Sequence, residues 1–308
     1  MDRLEGLDGL RRLPPGCGLC IGNFDGVHLG HRRLLAAAAA RVGPGRVVAV
    51  TFEPHPYTVL RPWAVPPRLT TFEHKCRLLE AAGADRLLVL PPEPQVLNLT
   101  AEAFFAILRD EARPACLVEG ATFTFGRAAR GNVRRLREWC EGTDIHLEVV
   151  DPVDVVLPDM TLITVSSSAV RFLALAGRVR EAGICLGRPH TIEGVVVEGA
   201  RRGRTLGFPT ANLDVVDQAI PADGVYAGRV SLDGRTWPAA VSIGATPTFG
   251  GDRRLVEAHL HGFTGELYGH TIRLELLDWV RDQRRFSGVD ALRRQLERDV
   301  AQVRGMVA

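Results

Sequence analysis

Near Arg188 the pattern of this chain changes, and that change limits the folds open to it. Upstream, short apolar runs alternate with helical spacing. The runs Gly18–Gly22, Arg46–Phe52, Arg86–Leu90, Ala115–Glu119 and Ile145–Val150 have the length of strands. Between and after them the spacing predicts helices over His31–Val42, Thr71–Ala82, Thr100–Arg109, Val133–Glu141 and Ser168–Ala176. Strands that alternate with helices form βαβ units and a parallel sheet. Downstream the runs are strand-like and separated by turn residues: Thr191–Val197, Gly224–Leu232, Trp237–Ile243, Leu255–His261 and Thr271–Trp279. That order predicts an antiparallel barrel or sandwich. One helix closes the chain. Ser287 and Asp290 have the spacing of a capping box, and Leu292, Leu296, Val300 and Val303 form one apolar stripe. With 308 residues there is chain enough for two cores. The expected division is 1–186 and 187–308.

The residues that carry chemistry begin at Gly22-Asn23-Phe24-Asp25-Gly26-Val27-His28-Leu29-Gly30-His31. An apolar strand precedes this glycine turn and a helix follows it. A helix N-terminus offers unpaired N–H groups and partial positive charge, which suits phosphate. Residues three apart share a helix face, so His28 and His31 can address one anion, and imidazoles can charge. The spacing fits neither a P-loop nor the dinucleotide fingerprint. Two histidines with no cysteine or third histidine nearby make a poor zinc site. Asp25 reads equally as a pocket residue or as a turn-former.

Charge and cysteine content narrow the partners. Net charge is +2, so no strong polyanion surface is implied. Lys75 is the only lysine; a basic phosphate contact is therefore expected from arginine or histidine. Cys17 and Cys20 form a lone CxxC among six cysteines, and they read as small buried residues of the first strand rather than a metal or redox site. The first twelve residues lack a signal-peptide core, and no apolar run reaches membrane length. A reduced, cytoplasmic protein is expected, without nucleic-acid or membrane partners. A transient homo-oligomer is the one protein partner left open.

The GNFDGVHLGH stretch resembles the signature of the adenylyltransferase module in bacterial bifunctional riboflavin kinases/FMN adenylyltransferases. The likeness continues through Thr51–Pro56 (TFEPHP), Arg68–Thr71 (RLTT), Ser166–Arg171 (SSSAVR) and, from Gly203, GRTLGFPTAN. It runs in family order over nearly the whole chain. It implies a Rossmann-like parallel-sheet nucleotidyltransferase domain, then an antiparallel β-barrel riboflavin kinase domain with a C-terminal helix. The implied chemistry is phosphorylation of riboflavin to FMN, then adenylyl transfer from ATP to FMN, giving FAD and pyrophosphate. ATP, riboflavin and FMN would be substrates and Mg²⁺ the metal.

The resemblance also assigns residues. His28, His31 and Arg171 would act on phosphate in the transferase. Gly22, Asn23, Phe24, Asp25, Gly26, Ser167 and Ser168 would bind nucleotide, the serines at a second helix start. His55, Thr122, Phe123 and Phe125 would line the flavin side. In the kinase, Gly199, Gly203, Arg204 and Gly207 would wrap ATP phosphates through backbone N–H groups. Thr210 and Asn212, two apart in an extended segment, share a side and offer hard oxygens suited to Mg²⁺. Glu257 matches the family's catalytic glutamate, although the alternation around it permits either strand face.

Three positions depart from the family pattern. Thr122 stands where Asn or Asp is usual, which points to weaker flavin binding or slower adenylyl transfer. Ala200-Arg201 replaces an acidic residue and glycine. Ala245-Thr246-Pro247-Thr248 replaces Thr-Asn/Arg-Pro-Thr. Altered nucleotide affinity is expected from the last two. Three other readings compete: a riboflavin kinase with a weakened transferase module, an adenylyltransferase for another acceptor, and a non-enzymatic flavin-binding regulator.

Overall fold

The structure is a computed structural model that describes residues 1–199, 203, 207–245 and 254–307. Its contacts divide it into two compact units. One comprises Met1–Pro66 and Phe72–Asp154, the other Pro67–Thr71 and Val155–Ala308.

The first unit is built on a parallel sheet of six strands. They are β1 (Asp2–Glu5), β2 (Gly18–Ile21), β3 (Val47–Phe52), β4 (Arg86–Leu90), β5 (Cys116–Gly120) and β8 (His146–Val150), in the order β1-β4-β3-β2-β5-β8. Two short strands, β6 (Thr124–Phe125) and β7 (Gly131–Asn132), pair separately. Central strands of such a sheet are covered on both faces and so carry continuous apolar runs. All four residues of β2 and the first five of β3 are buried accordingly. Alternate residues supply two cores. Leu19, Val48, Val50, Leu88 and Leu117 face one of them, and Cys20, Val47, Ala49, Leu87 and Val118 the other.

The longer helices of this unit are α1 (Leu29–Val42), α2 (Phe72–Ala81), α3 (Ala101–Ile107) and α4 (Val133–Cys140), with single helical turns at Tyr57–Leu60 and Pro94–Leu97. The chain runs outward from β2 through β3 to β4, then returns to β5 on β2's other side. The order reverses at β2, and in open parallel sheets ligands bind beyond the strand ends at such a point.

The second unit holds the two-stranded β9 (Asp154–Val156) and β10 (Leu162–Thr164), and helices α5 (Ser167–Leu175) and α6 (Val179–Leu186). A closed antiparallel barrel follows. Its strands are β11 (His190–Val197), β12 (Ala211–Asp214), β13 (Gly224–Leu232), β14 (Arg235–Ala245), β15 (Arg254–Leu260) and β16 (Thr271–Arg281). They close in the order β11-β12-β15-β14-β13-β16. Ile192, Leu213, Val230, Val241, Val256, Ala258 and Leu274 fill the interior. Helix α7 (Val289–Val307) ends the chain, with Val300 and Val303 buried. No described helix is long and apolar enough to cross a membrane.

The expected architecture stands: a parallel-sheet domain, then a barrel with a terminal helix. Closure decides between barrel and sandwich. The expected strands are all present, with ends shifted by a few residues at most. Strands β1, β6, β7, β9, β10 and β12 and helix α6 are additions. All six cysteines are buried and unbonded; burial pushes the Cys17 thiol up to about 12.

Candidate functional sites in the two units

In the first unit, β2 ends at Ile21 and the signature turn begins. Gly22 N–H donates to Val50 O (2.9 Å), and Val27 N–H donates to Phe24 O (3.1 Å). Phe24 and Val27 hold φ of 50° and 40°, with Gly26 at 80° between them. A left-handed bulky or β-branched residue is an outlier that surrounding structure must enforce, and such strain gathers at functional sites. Packing enforces it here, since Phe24 is 0% and Val27 1% exposed.

The turn delivers His28 as the N-cap of α1. Its Nδ1 accepts from His31 N–H (3.4 Å). The rings of His28 and His31 stack at 3.6 Å and 20°, and Phe24 meets His31 edge-on at 5.0 Å. His28 is buried, and His31 Nδ1 is buried with no partner among the described residues. Burial, then the neighbouring His28, then Lys75, hold His31 well below the usual imidazole pKa. The expectation that both imidazoles can charge is thus corrected: desolvation keeps His31 neutral. Phe24, expected in the nucleotide pocket, lies in the core and reaches the site through His31.

The ends of neighbouring strands complete this cluster. His55 Nε2 lies 3.3 Å from Asn23 Nδ2, and Tyr57 N–H donates to His55 Nδ1 (3.1 Å). Thr51 Oγ1 donates to Asn23 O (3.2 Å). Lys75 Nζ, from α2, lies 3.1 Å from Glu53 Oε2 and 3.5 Å from both Asn23 O and Thr51 Oγ1. On the other side of β2, backbone pairing with β5 covers Gly18–Cys116 and Leu19–Leu117. Next, Ile21 N–H donates to Glu119 Oε1 (2.9 Å). Glu119 is 1% exposed, and burial pushes its carboxyl well above the usual range. Sequence reasoning missed Lys75 and Glu119. For Glu119 the signal was an ionisable residue within an apolar strand run, and for Lys75 its being the only lysine of the chain.

The expected flavin-side residues separate. Phe125 is in the core, stacked on Phe123 (5.4 Å) and near Phe104 and Trp139 (6.0 and 6.1 Å). Thr122 is exposed and Phe123 half-buried. Of the two phenylalanine rings, Phe123 is the one with open surface.

The SSSAVR segment lies in the second unit, on α5. Ser166 caps that helix by accepting from Ala169 N–H (3.2 Å). Ser167 and Ser168 therefore stand in the first turn. Arg171 is half-buried, and its Nε donates to Pro67 O (2.8 Å).

The barrel carries the other motif. Asn212 on β12 pairs with Glu257 on β15 and, on its other side, with Val197 on β11. Glu257 in turn pairs with Ser242 on β14. Residues opposite one another in antiparallel strands share a face. Val256 and Ala258 point into the interior, so Glu257 lies on the outer face with Asn212, which settles the ambiguity of its strand. Asn212 is 5% exposed, and its Oδ1 is buried with no partner among the described residues. A buried orphan acceptor is costly unless something binds it. It is a hard oxygen, which fits Mg²⁺.

Thr210 immediately precedes β12. A Cβ on Gly199 would collide with the Asn212 amide, so a larger residue there would displace that side chain. Gly203 O accepts from Phe208 N–H (2.9 Å), and His259 Nδ1 lies 2.8 Å from Pro209 O. Beside this segment opens a cavity of about 490 Å³, lined by Phe208, Pro209, His259, His261, Phe263 and Arg304 among others, within the size range of small-molecule sites. Arg204, Ala200-Arg201 and Thr246-Pro247-Thr248 lie outside the described residues.

Two family models match the chain: FAD synthetase over residues 11–167 and riboflavin kinase over 186–307. A bifunctional riboflavin kinase/FMN adenylyltransferase of Escherichia coli K12 is 34% identical, over 97% of this chain and 96% of its own. One from Pseudomonas fluorescens is 33% identical, over 100% and 98%. A solved Streptococcus pneumoniae structure, called a macrolide-efflux protein, is 32% identical with a TM-score of 0.87, over 99% of both chains.

Proposed function

The chain belongs to the bifunctional riboflavin kinase/FMN adenylyltransferase family, and on that premise we propose how its own residues divide the two reactions. The enzyme phosphorylates riboflavin with ATP to give FMN. It then joins FMN to the adenylyl group of a second ATP, giving FAD and pyrophosphate. The observation that carries the division is that His28 and His31 cluster at the end of β2 in the first unit, whereas Asn212 and Glu257 pair across β12 and β15 in the second. The functional boundary proposed is 186/187, which the start of the riboflavin kinase match supports.

In adenylyl transfer an FMN phosphate oxygen attacks the α-phosphorus of ATP, and the bond to the bridging oxygen of pyrophosphate breaks. Catalysis is alignment plus charge stabilisation. His28 and the first N–H groups of α1 receive the developing charge. Neutral His31 contributes hydrogen bonding and ring stacking. Gly22, Asn23, Asp25 and Gly26 shape the nucleotide pocket. Ser167, Ser168 and Arg171 are the second phosphate-binding group, on the resemblance of SSSAVR and their place in the first turns of α5. His55, Thr122 and Phe123 serve the flavin side.

In the kinase reaction Glu257 accepts the proton of the ribityl 5′-hydroxyl as its oxygen attacks the γ-phosphorus and ADP leaves. Thr210 and Asn212 would hold Mg²⁺, and Gly199, Gly203 and Gly207 bring backbone to the phosphates. When bound, the metal neutralises phosphate charge. The proposed setting is cytoplasmic, with small molecules as partners.

The test is to incubate the chain with riboflavin, ATP and Mg²⁺ and resolve the flavins by time. FMN should appear first and FAD from it. FMN that accumulates without FAD would overturn the assignment to the first unit.

A further inference from the structure

Lysine is among the residues least often buried, because its ammonium loses hydration in the interior. This chain has a single lysine, and its side chain is 8% exposed. An ion pair in such a place is weak evidence for stability, since an apolar side chain of similar volume often serves as well. The neighbours of Lys75 suggest another use. Its Nζ reaches Glu53 Oε2, just past β3, at 3.1 Å. It lies 3.5 Å from Thr51 Oγ1 within β3 and 3.5 Å from the carbonyl of Asn23 in the signature turn. Thr51 donates to that same carbonyl (3.2 Å), so two donors converge on it. A compact ammonium with three N–H bonds can serve three acceptors on two segments, whereas the planar guanidinium fork is shaped for bidentate anions. That accounts for a lysine here in a chain whose other basic residues of this kind are all arginine.

We propose that Lys75 is a positioning residue for adenylyl transfer: it clamps the Asn23 carbonyl, fixes the turn that presents His28 and His31, and sets a positive charge behind the phosphate site. This rests on the assignment of the transferase to that turn. The field of Lys75 also reaches His31, behind burial and His28 among the causes that keep that ring neutral.

The test reads both products on one polypeptide. Lys75→Met should lower kcat for FAD formation from supplied FMN by about 10–100-fold, the usual cost of losing a supporting residue. FMN formation from riboflavin should be unchanged. Glu53→Gln combined with Lys75→Met should stay low. Recovery in that double variant would mean that the lysine only neutralises Glu53, and would overturn the proposal, as would an unchanged kcat in Lys75→Met.

The wild-type chain gives a measurement free of folding defects. With ¹³C-lysine its one lysine yields one side-chain signal set, which should shift when pyrophosphate is added and stay put with riboflavin alone. A signal unmoved by pyrophosphate at concentrations that inhibit FAD formation also overturns the proposal. His28→Ala separates the two levels. If that variant still makes FAD, the assignment of the turn fails. If it is inactive while Lys75→Met is fully active, only the lysine inference fails.

Discussion

In the first unit the side chains proposed to react hang from a turn; in the second they stand in a row on paired strands. His28 and His31 owe their placement to a strained loop, a buried Phe24 and a helix cap. Asn212 and Glu257 owe theirs to the register of β12 against β15. The turn needs many neighbours to hold one geometry, and two of them, Lys75 and Glu119, are ionisable groups placed in the interior. The row needs little beyond the hydrogen-bond ladder, because antiparallel pairing puts opposite side chains about 4.5–5.5 Å apart at the Cβ. Support should therefore be spread over the surroundings of the turn and concentrated in the pairing of the row.

The sharpest way to break this comparison is to remove one group from each site and look for loss of one product only. Glu257→Gln should cut FMN formation by about 10²–10⁴-fold, the usual worth of a general base, and leave FAD formation from supplied FMN intact. His28→Ala should cut FAD formation by about 10²–10³-fold and spare FMN formation, as for loss of one preorganised charge-stabilising group. Either variant losing both activities while folded would show that the sites are not independent. Asn212→Ala should raise the Mg²⁺ concentration needed for half-maximal FMN formation by about 10–100-fold, read by titrating the metal at fixed ATP.

The smallest effect tests the supporting layer of the turn. The folded-state pKa of Glu119 is raised by burial. Its contribution to stability is therefore fully present below about 4.5, the unfolded value, and is lost as pH rises toward the folded value. Glu119→Gln keeps an acceptor for Ile21 N–H but cannot ionise. It should raise the melting temperature by a few degrees at pH 8 and by nothing at pH 4. Equal shifts at both pH values would mean that the carboxyl does not titrate as described.

Much of this was legible in the sequence, for physical reasons that differ by element. β4 was readable residue for residue because four apolar residues follow its Arg86, and β13 because Val225, Tyr226, Val230 and Leu232 give it strand character despite Arg229 and Ser231. β12 was not readable as a strand, because ANLD has four residues, two of them polar, and is held by its neighbours. Helix α6 follows α5 after a break of three residues, and no cap residue marks its start. The signature turn was visible as a phosphate site, but the neutrality of His31 was not, since it depends on how deeply Phe24 and the turn bury the ring. Lys75 and Asn23 are 52 residues apart and meet only through the packing of α2 beside β3. Phe123 and Phe125 look alike in the sequence. Two apart, they share one side of an extended segment, so it is the surrounding packing that makes Phe125 a core residue and leaves Phe123 partly buried against that core.

The row on the barrel has a consequence for how this enzyme tolerates length changes. Residues 211 and 213 fill the core while 212 faces Glu257. A one-residue slip of β12 would therefore send Asn212 inward and bring an apolar side chain opposite the glutamate. The same error would empty the active face and place an amide in the oily interior. Folding itself thus proofreads the proposed catalytic pair: chains that mispair the strand should lose stability as well as activity. Insertions and deletions that shift β12 against β15 should therefore cost stability and kinase activity together.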